Sequence, residues 1–590
     1  MSKPGNLPQQ LDHMLRQAIA LQQNGAIVEA EELYREILEL KPRHLDALTL
    51  LGELALQTGR VQEGSELLTK ALAVNAKQAA VHSNLAYALN ELQRHGEALA
   101  SAERALTLQP DFPDALNNRG NALAGLNRPL DALASFDRAI ALVPQFAVAW
   151  NNRAGVLRDL GRADDALASC ERALALQPNY AAAWSNHGNA LSDLDQPEAA
   201  ERSYRRALEL APAFADAWNN LGLTQIDLNQ HAQALSSYER ALAIDPASVE
   251  TRWNKALCLL QMGRFEAGWR EYEWRWERAR IKRQRRGFAQ PLWRGDFSID
   301  GKTILLHAEQ GLGDTLQFCR YAALVSKLGA RVVLEVPAAL MRLMTTLDGV
   351  DQLVEAGQPL PPFDCHCPLL SLPLALRTDE TSIPAATPYL SADPEAARAW
   401  RERIGTTADG CTHRRLKVGL VWAGENRAHV AELRKIDARR SIALERFAPL
   451  LEVPNVRFFS VQKGAAASQL SGSELSARVV DYTQELHDFA DTAALVANLD
   501  LLISVDTSTA HLAGALNRPV WILNRFDTCW RWLLERHDTP WYPGARLFRQ
   551  PALGDWDSVI RATRDALAEL SDSFSGGASC GDTRDDPRGE

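Results

Sequence analysis

Two short loops carry the residue types from which a phosphate-handling site is built. In Gln310-Gly311-Leu312-Gly313-Asp314, glycines stand between an expected strand and an expected helix, where bare backbone can approach a ligand closely. Asp314 falls at the helix start, where its carboxylate faces favourable amide dipoles; capping that helix is the plain structural role for the same residue. In the second loop, Asp506-Thr507-Ser508-Thr509-Ala510-His511 runs into a helix with apolar Leu512, Ala515 and Leu516. Exposed amides and hydroxyls at such a helix start suit a pyrophosphate.

Both loops need strands behind them. From Lys302 onward, short β-rich runs alternate with helical ones, a pattern that predicts parallel sheets covered by helices. Residues 303–307 read as a first strand, with a helix to about Leu328 and a strand over 331–336. A second block opens at 417–422 and continues with strands near 456–461, 479–482 and 501–505. Two such domains in tandem place their strand ends toward one cleft. Gln462-Lys463-Gly464 follows one of these strands directly, and Arg439-Arg440-Ser441 closes the long loop after Trp422-Ala423-Gly424. The loop from Asn426 to Ile436 is less regular than its flanks, the pattern of a mobile lid.

Metal chemistry finds little support. Cys365-His366-Cys367 has no second Cys/His cluster to complete a zinc site and reads as a buried strand. Asp555-Trp556-Asp557 opens an amphipathic helix and reads as its N-terminal cap. Eight cysteines without paired spacing suit a reducing compartment.

The first half of the chain is periodic. Pro110, Pro144, Pro178, Pro212 and Pro246 recur every 34 residues, with Trp150, Trp184 and Trp218 and the glycines Gly52, Gly120, Gly188 and Gly222 in phase. Alanine fills two further columns, one from Ala98 to Ala234 and one from Ala71 to Ala241. This resembles the tetratricopeptide repeat over about residues 11–280, and it implies helical hairpins stacked into a superhelix with a long concave face. Asn84, Asn118, Asn152, Asn186, Asn220 and Asn254 form one more column. Such an amide ladder either hydrogen-bonds an extended peptide backbone or ties neighbouring helices together. Trp269, Tyr272 and Trp276, at helical spacing, are expected to pack the last repeat against the next domain. Trp530, Trp532 and Trp541 have two readings, stacking on a sugar or base and packing between domains.

At 590 residues with a formal net charge of -10, the chain is long enough for several domains and offers no broad basic surface for nucleic acid or an anionic membrane. The run from Lys282 to Arg286 reads as a solvated junction. No stretch approaches the roughly 18 to 20 apolar residues that a spanning helix needs, so a cytoplasmic protein without a membrane span is expected.

With the Gly311-Leu312-Gly313-Asp314 turn and the Asp506-Thr507-Ser508 to His511 motif in this order, the segment from Lys302 to about Leu570 resembles the two-domain GT-B glycosyltransferases, in particular the ADP-heptose:lipopolysaccharide heptosyltransferase family. Joined to the repeats, it also resembles the protein O-linked N-acetylglucosamine transferases and bacterial proteins that fuse such an array to a heptosyltransferase-like half. The resemblance implies an α-solenoid followed by an α/β GT-B fold of two Rossmann-like domains facing a cleft. Its divisions are an N-terminal tail (1–10), the array (11–280), a linker (281–300), an N-terminal acceptor domain (301–395), an interdomain linker (396–416), a C-terminal nucleotide-sugar domain (417–570) and a disordered tail (571–590).

The same resemblance implies inverting transfer from a nucleotide-diphosphate sugar to a polypeptide or saccharide acceptor, without metal or cofactor. Asp314 is then the general base. Gly311 and Gly313 shape the donor site, Thr507 and Ser508 hold the leaving diphosphate, Asp506 and His511 order the turn or touch the sugar, and Arg440 and Lys463 supply positive charge. Two other classes stay open: a non-catalytic scaffold with a vestigial nucleotide-sugar site, and a GT-B-fold nucleotide-sugar epimerase.

Overall fold

The computed structural model describes residues 7–283, 285–405, 415–425, 427 and 431–576. Residues 1–6 of the expected N-terminal tail, 577–590 of the C-terminal one, 406–414 of the expected interdomain linker, and 426 and 428–430 of the irregular loop lie outside these. The array begins at Leu7, the first residue of the helix Leu7–Gln23, and the last helix, Trp556–Gly576, runs on past residue 570. A helix, Pro394–Gly405, occupies much of the stretch read as an interdomain linker. The chain divides into two compact units, Met1–Gln225 and Ile226–Glu590.

The first unit is a stack of helical hairpins, beginning with Leu7–Gln23 and Ile27–Leu40 and continuing with Leu45–Gln57 and Val61–Val74. Its period has a backbone cause. The hairpin turn needs one residue in the left-handed region, and Gly25, Gly59, Gln93, Asn127, Gly161 and Asp195 supply it, each with positive φ. The in-phase glycines make room inside the hairpin: a Cβ on Gly120 would stand 2.5 Å from the Phe136 ring, and one on Gly188 2.8 Å from that of Tyr204. The alanine columns are fully buried, as Ala98, Ala105, Ala132 and Ala139 show at 0% exposure. Proline and tryptophan are in phase because they meet: the indole N–H groups of Trp150, Trp184 and Trp218 donate to the carbonyls of Pro144, Pro178 and Pro212 at 3.0, 2.8 and 2.9 Å.

The second unit holds two all-parallel sheets. The first comprises β1 (Thr303–His307), β2 (Arg331–Val336), β3 (Gln352–Glu355) and β4 (Cys365–Pro368) in the order β3-β2-β1-β4. The second comprises β5 (Leu416–Val421), β6 (Val456–Ser460), β7 (Val479–Asp481), β8 (Leu501–Val505), β9 (Val520–Asn524) and β10 (Ala545–Arg549), in the order β10-β9-β8-β5-β6-β7. The strand order turns at β1 in one sheet and at β5 in the other, so the crevices for ligands open at the carboxyl ends of these strands and their neighbours. β8 is buried throughout, which is why it reads as an apolar run with Ser504 its one polar residue.

This unit begins before residue 281 for a packing reason. The helices Val249–Gln261 and Phe265–Tyr272 place Ala256, Leu260, Phe265, Trp269 and Tyr272 in the same hydrophobic cluster as Ile304 and Leu306 of β1. Trp269 meets Phe318 and Trp530 edge-on, with ring centroids 6.3 and 5.2 Å apart. Trp541 is buried with Trp530 and Phe318, so these tryptophans pack. No described helix is long and apolar enough to cross a membrane.

Candidate functional site

The loop after β1 turns into the short helix Leu312–Phe318, and Asp314 folds back on the turn: one carboxylate oxygen accepts the Gly311 N–H at 2.9 Å. The loop after β8 turns into the helix Ser508–Ala515, with Thr507 as its extended N-terminal cap. The Thr507 hydroxyl meets that of Ser504 at 3.0 Å, and the first amides of the helix have no intrahelical partner. The two loops touch. A Cβ on Gly313 would lie 3.1 Å from the His511 ring and 3.3 Å from Ser508 Cα, so glycine sets this close approach.

A residue that sequence reasoning passed over completes the junction. Arg531, buried between Trp530 and Trp532, forms an ion pair with the other oxygen of Asp314 and donates from Nε to Gln317 Oε1 at 2.6 Å. Its guanidinium lies 4.2 Å from the Trp530 ring centroid. The flanking tryptophans drew attention as stacking surfaces, and the arginine between them carries the charge. Asp314 therefore has both oxygens engaged.

More cations gather at the carboxyl ends of the second sheet. Arg440 ends the helix Ala431–Arg440, pairs with Asp437 at 2.9 Å and reaches the Asp506 carbonyl at 3.4 Å. It lies against Gly424, whose added Cβ would sit 2.4 Å from Nε, and that buried Nε has no hydrogen-bond partner. Arg427 shares Asp437 at 2.6 Å, and burial, which opposes the charge on Asp437, is outweighed by Arg427 and Arg440, so its carboxyl titrates below the usual range. Arg439 bridges Asp227 and Asp527 at 2.7 and 2.9 Å, and Arg525 pairs with Asp527 at 2.5 Å. At the end of β9, Asn524 donates to Thr528 Oγ1 at 2.7 Å while its buried carbonyl oxygen is unpartnered. Arg439 stands in the Arg439-Arg440-Ser441 segment noted in the sequence, whereas neither Arg525 nor Asn524 belongs to a motif that would single it out.

Lys463 and His511 are both engaged within the fold. The Lys463 ammonium donates to the carbonyls of Thr483 and Leu486 at 2.8 and 2.9 Å, so it closes a turn beside β7 rather than presenting charge to a phosphate. His511 is buried, stacks on Trp532 with centroids 5.4 Å apart, and meets the Tyr542 hydroxyl at 2.9 Å. Burial, then the nearby Arg531 and Arg320, push its pKa well below the usual range, so it is a neutral ring that orders the turn. Asp506 is half-buried beside Arg440 and Arg531.

The asparagine column serves the hairpins. The side-chain amides of Asn152, Asn186 and Asn220 donate to Asn117, Asn151 and Asn189 of the preceding repeat at 3.0, 2.9 and 3.0 Å. Asn84 donates to Glu53 at 2.8 Å, and buried Asn118 to the Ser83 carbonyl at 3.0 Å. Asn254 sits half-buried on the helix Val249–Gln261. The donors of five of the six amides are thus used between repeats. Among the described residues no three His, Cys, Asp or Glu side chains gather in an arrangement fit for a metal ion. Asp555 caps the last helix, accepting from the Ser558 N–H at 3.0 Å.

Comparison with known proteins separates the two halves. Tetratricopeptide-repeat models match residues 21–86, 61–113, 145–213, 185–249 and 221–279. Protein FlbA of Caulobacter vibrioides is 26% identical over 342 residues, 54% of this chain, and the chain spans 55% of FlbA's length. A tetratricopeptide repeat protein from Parabacteroides merdae is 18% identical, with a TM-score of 0.37 over 42% of this chain and 99% of its own. Pseudomonas aeruginosa pilF is 21% identical, with a TM-score of 0.31 over 36% of this chain and 96% of its own. The chain is thus built from tetratricopeptide repeats over roughly its first 280 residues, followed by parallel α/β sheets.

Proposed function

We propose that this protein is a GT-B glycosyltransferase that moves a sugar from a nucleotide-diphosphate sugar to a hydroxyl of a polypeptide engaged by the repeat array. The meeting of the two loops carries this reading: Gly313 against Ser508 and His511 brings the Asp314 carboxylate, after the first sheet's β1, to the helix start and cations of the second. In the reaction the acceptor oxygen attacks the anomeric carbon, the bond from that carbon to the diphosphate breaks with its electron pair on the diphosphate, and the acceptor proton passes to Asp314. The helix start at Thr507 and Ser508, with Arg440 and Arg531, receives the charge on the leaving group. No step calls on a metal or a cofactor.

The pairing of Asp314 with Arg531 fits a resting state. An incoming diphosphate competes for the same guanidinium, so donor binding frees the Asp314 carboxylate for the acceptor. The same pairing also favours the second reading, a scaffold that binds nucleotide sugar without turning it over. Calorimetric titration with ADP-, UDP-, GDP- and TDP-linked sugars is the first test. Selective binding of one nucleotide, with transfer lost and binding kept in Asp314→Asn, supports the enzyme; binding without transfer to any acceptor supports the scaffold. Folded protein that binds none of them removes both.

A further inference from the structure

A cavity of about 290 Å³ opens elsewhere in the second unit, at the carboxyl ends of β1 and β4. That size is at the small end of ligand pockets, about 300–1,000 Å³. Its floor is aromatic. His307 and His366 face each other with Nε2 and Nδ1 3.2 Å apart, and Phe288 lies edge-on to both, with centroids 5.8 and 4.9 Å away. Its rim is basic: Arg285 and Arg286 line it, and the Arg286 guanidinium lies 4.9 Å from the Phe288 ring centroid. Two carboxylates answer this charge, Glu335 paired with Arg286 and Glu277 at 3.6 Å from Arg285. Glu277 also pairs with Lys282, at 3.0 Å, so one carboxylate is shared between that cation and Arg285. The Glu277 pair is exposed, and such pairs exchange readily for another anion.

Unused hydrogen-bonding capacity points to an occupant. Trp276, on the cavity wall, has a buried indole N–H with no partner, and Arg286 has only Nη1 in a hydrogen bond among the described residues. Burial, then His366 and Arg286, push the His307 pKa down to about 3, so the imidazole pair is a neutral donor and acceptor rather than further charge. The part of the basic run nearest the sheet is therefore a wall of this cavity and not only a solvated junction.

We infer that this cavity is a second binding site, taking a small molecule that carries a phosphate or carboxylate on a flat apolar body. The anion meets Arg285 and Arg286, and the flat body lies on Phe288 and the imidazole pair. This does not depend on glycosyl transfer, since none of the Asp314, Thr507 or Ser508 groups lines the cavity.

Titration of the full-length protein with phenyl phosphate, benzoate and phenol, followed by calorimetry, tests it. Phenyl phosphate or benzoate is expected to bind at one site and phenol not to bind. Arg286→Gln and His366→Ala should each weaken binding at least about tenfold, the effect of one charge-assisted hydrogen bond or one lost ring contact. Arg286→Gln strands Glu335, so Arg285→Ala, at a largely exposed side chain, serves if circular dichroism shows that the first variant is unfolded. Absence of binding by either anion, or full affinity in the folded variants, would each overturn the assignment.

Discussion

Within residues 7–225, arginines pair with carboxylates near the surface, either one helical turn away, as Arg162 with Asp165 and Arg205 with Glu201, or on a neighbouring helix, as Arg60 with Glu31. Beyond Ile226 they turn inward: the Arg275 side chain is 0% exposed between Glu273 and Glu309, and Arg439, Arg525 and Arg531 are nearly as enclosed. Every described buried side-chain polar atom that lacks a hydrogen-bond partner also lies beyond Ile226. The repeats satisfy their polar groups locally, each hairpin with the next, and their stability is close to a sum of neighbour terms. The α/β unit instead keeps ion pairs inside, so buried charge is distributed unevenly along one chain.

The contrast can be broken most directly at Asp314. Under the proposed mechanism, Asp314→Asn lowers the transfer rate by about 10²- to 10⁴-fold, the usual contribution of a general base, and leaves nucleotide titration unchanged. A variant that transfers at the native rate would move the base elsewhere. Next in size is Arg275→Ala, which leaves two buried carboxylates without their cation and should cost about 3–5 kcal/mol in urea denaturation. Arg205→Ala in the array should cost less than about 1 kcal/mol by the same measurement. Equal losses would erase the distinction between the units.

Acid sharpens the comparison. His307 is held neutral, with its pKa pushed from 6.5 to about 3, so its contribution is fully present above pH 6.5 and is lost as pH falls from there toward 3. In the array, the hydrogen bond from Arg60 lowers the Glu31 carboxyl from 4.5 to about 2, so that contribution survives to pH 4.5 and is lost below it. Thermal scans at stepped pH should show the α/β unit losing stability first. A similarly small effect is expected at Asn118→Ala, which removes the amide's bonds to Ser83 of the preceding repeat and should cost about 1 kcal/mol in urea denaturation.

How far the chain could be read varied with the kind of information involved. Strands β1, β2 and β8 are apolar runs bounded by turn residues, and their ends stand at residues 303, 307, 331, 336, 501 and 505 as the pattern predicts. β3, β9 and β10 escaped notice because each is short or follows a helix without a clear break in periodicity. The repeat register was plain in proline, tryptophan and alanine, while the left-handed turn column from Gly25 to Asp195 hid behind four residue types that share a conformation. At the candidate site, Asp314, Thr507 and Ser508 follow strands and could be named from the sequence. Arg531 could not, because its partner is 217 positions away, and Lys463 misled because a lysine after a strand looks the same whether it faces a ligand or a carbonyl.

The reach of the last repeats into the α/β unit bears on how the protein can be dissected. Asp227 holds Lys435 and Arg439, Asn229 donates to the Phe526 carbonyl at 3.2 Å, and Gln261 donates to that of Thr528 at 2.7 Å. A fragment begun at residue 281, where the sequence period stops, would lose the anchors of the helix that presents Arg440 and of the loop that leads to Arg531. The smallest transplantable module therefore starts inside the repeats, and exchanging arrays between relatives at the end of the period would carry away part of the host's own site.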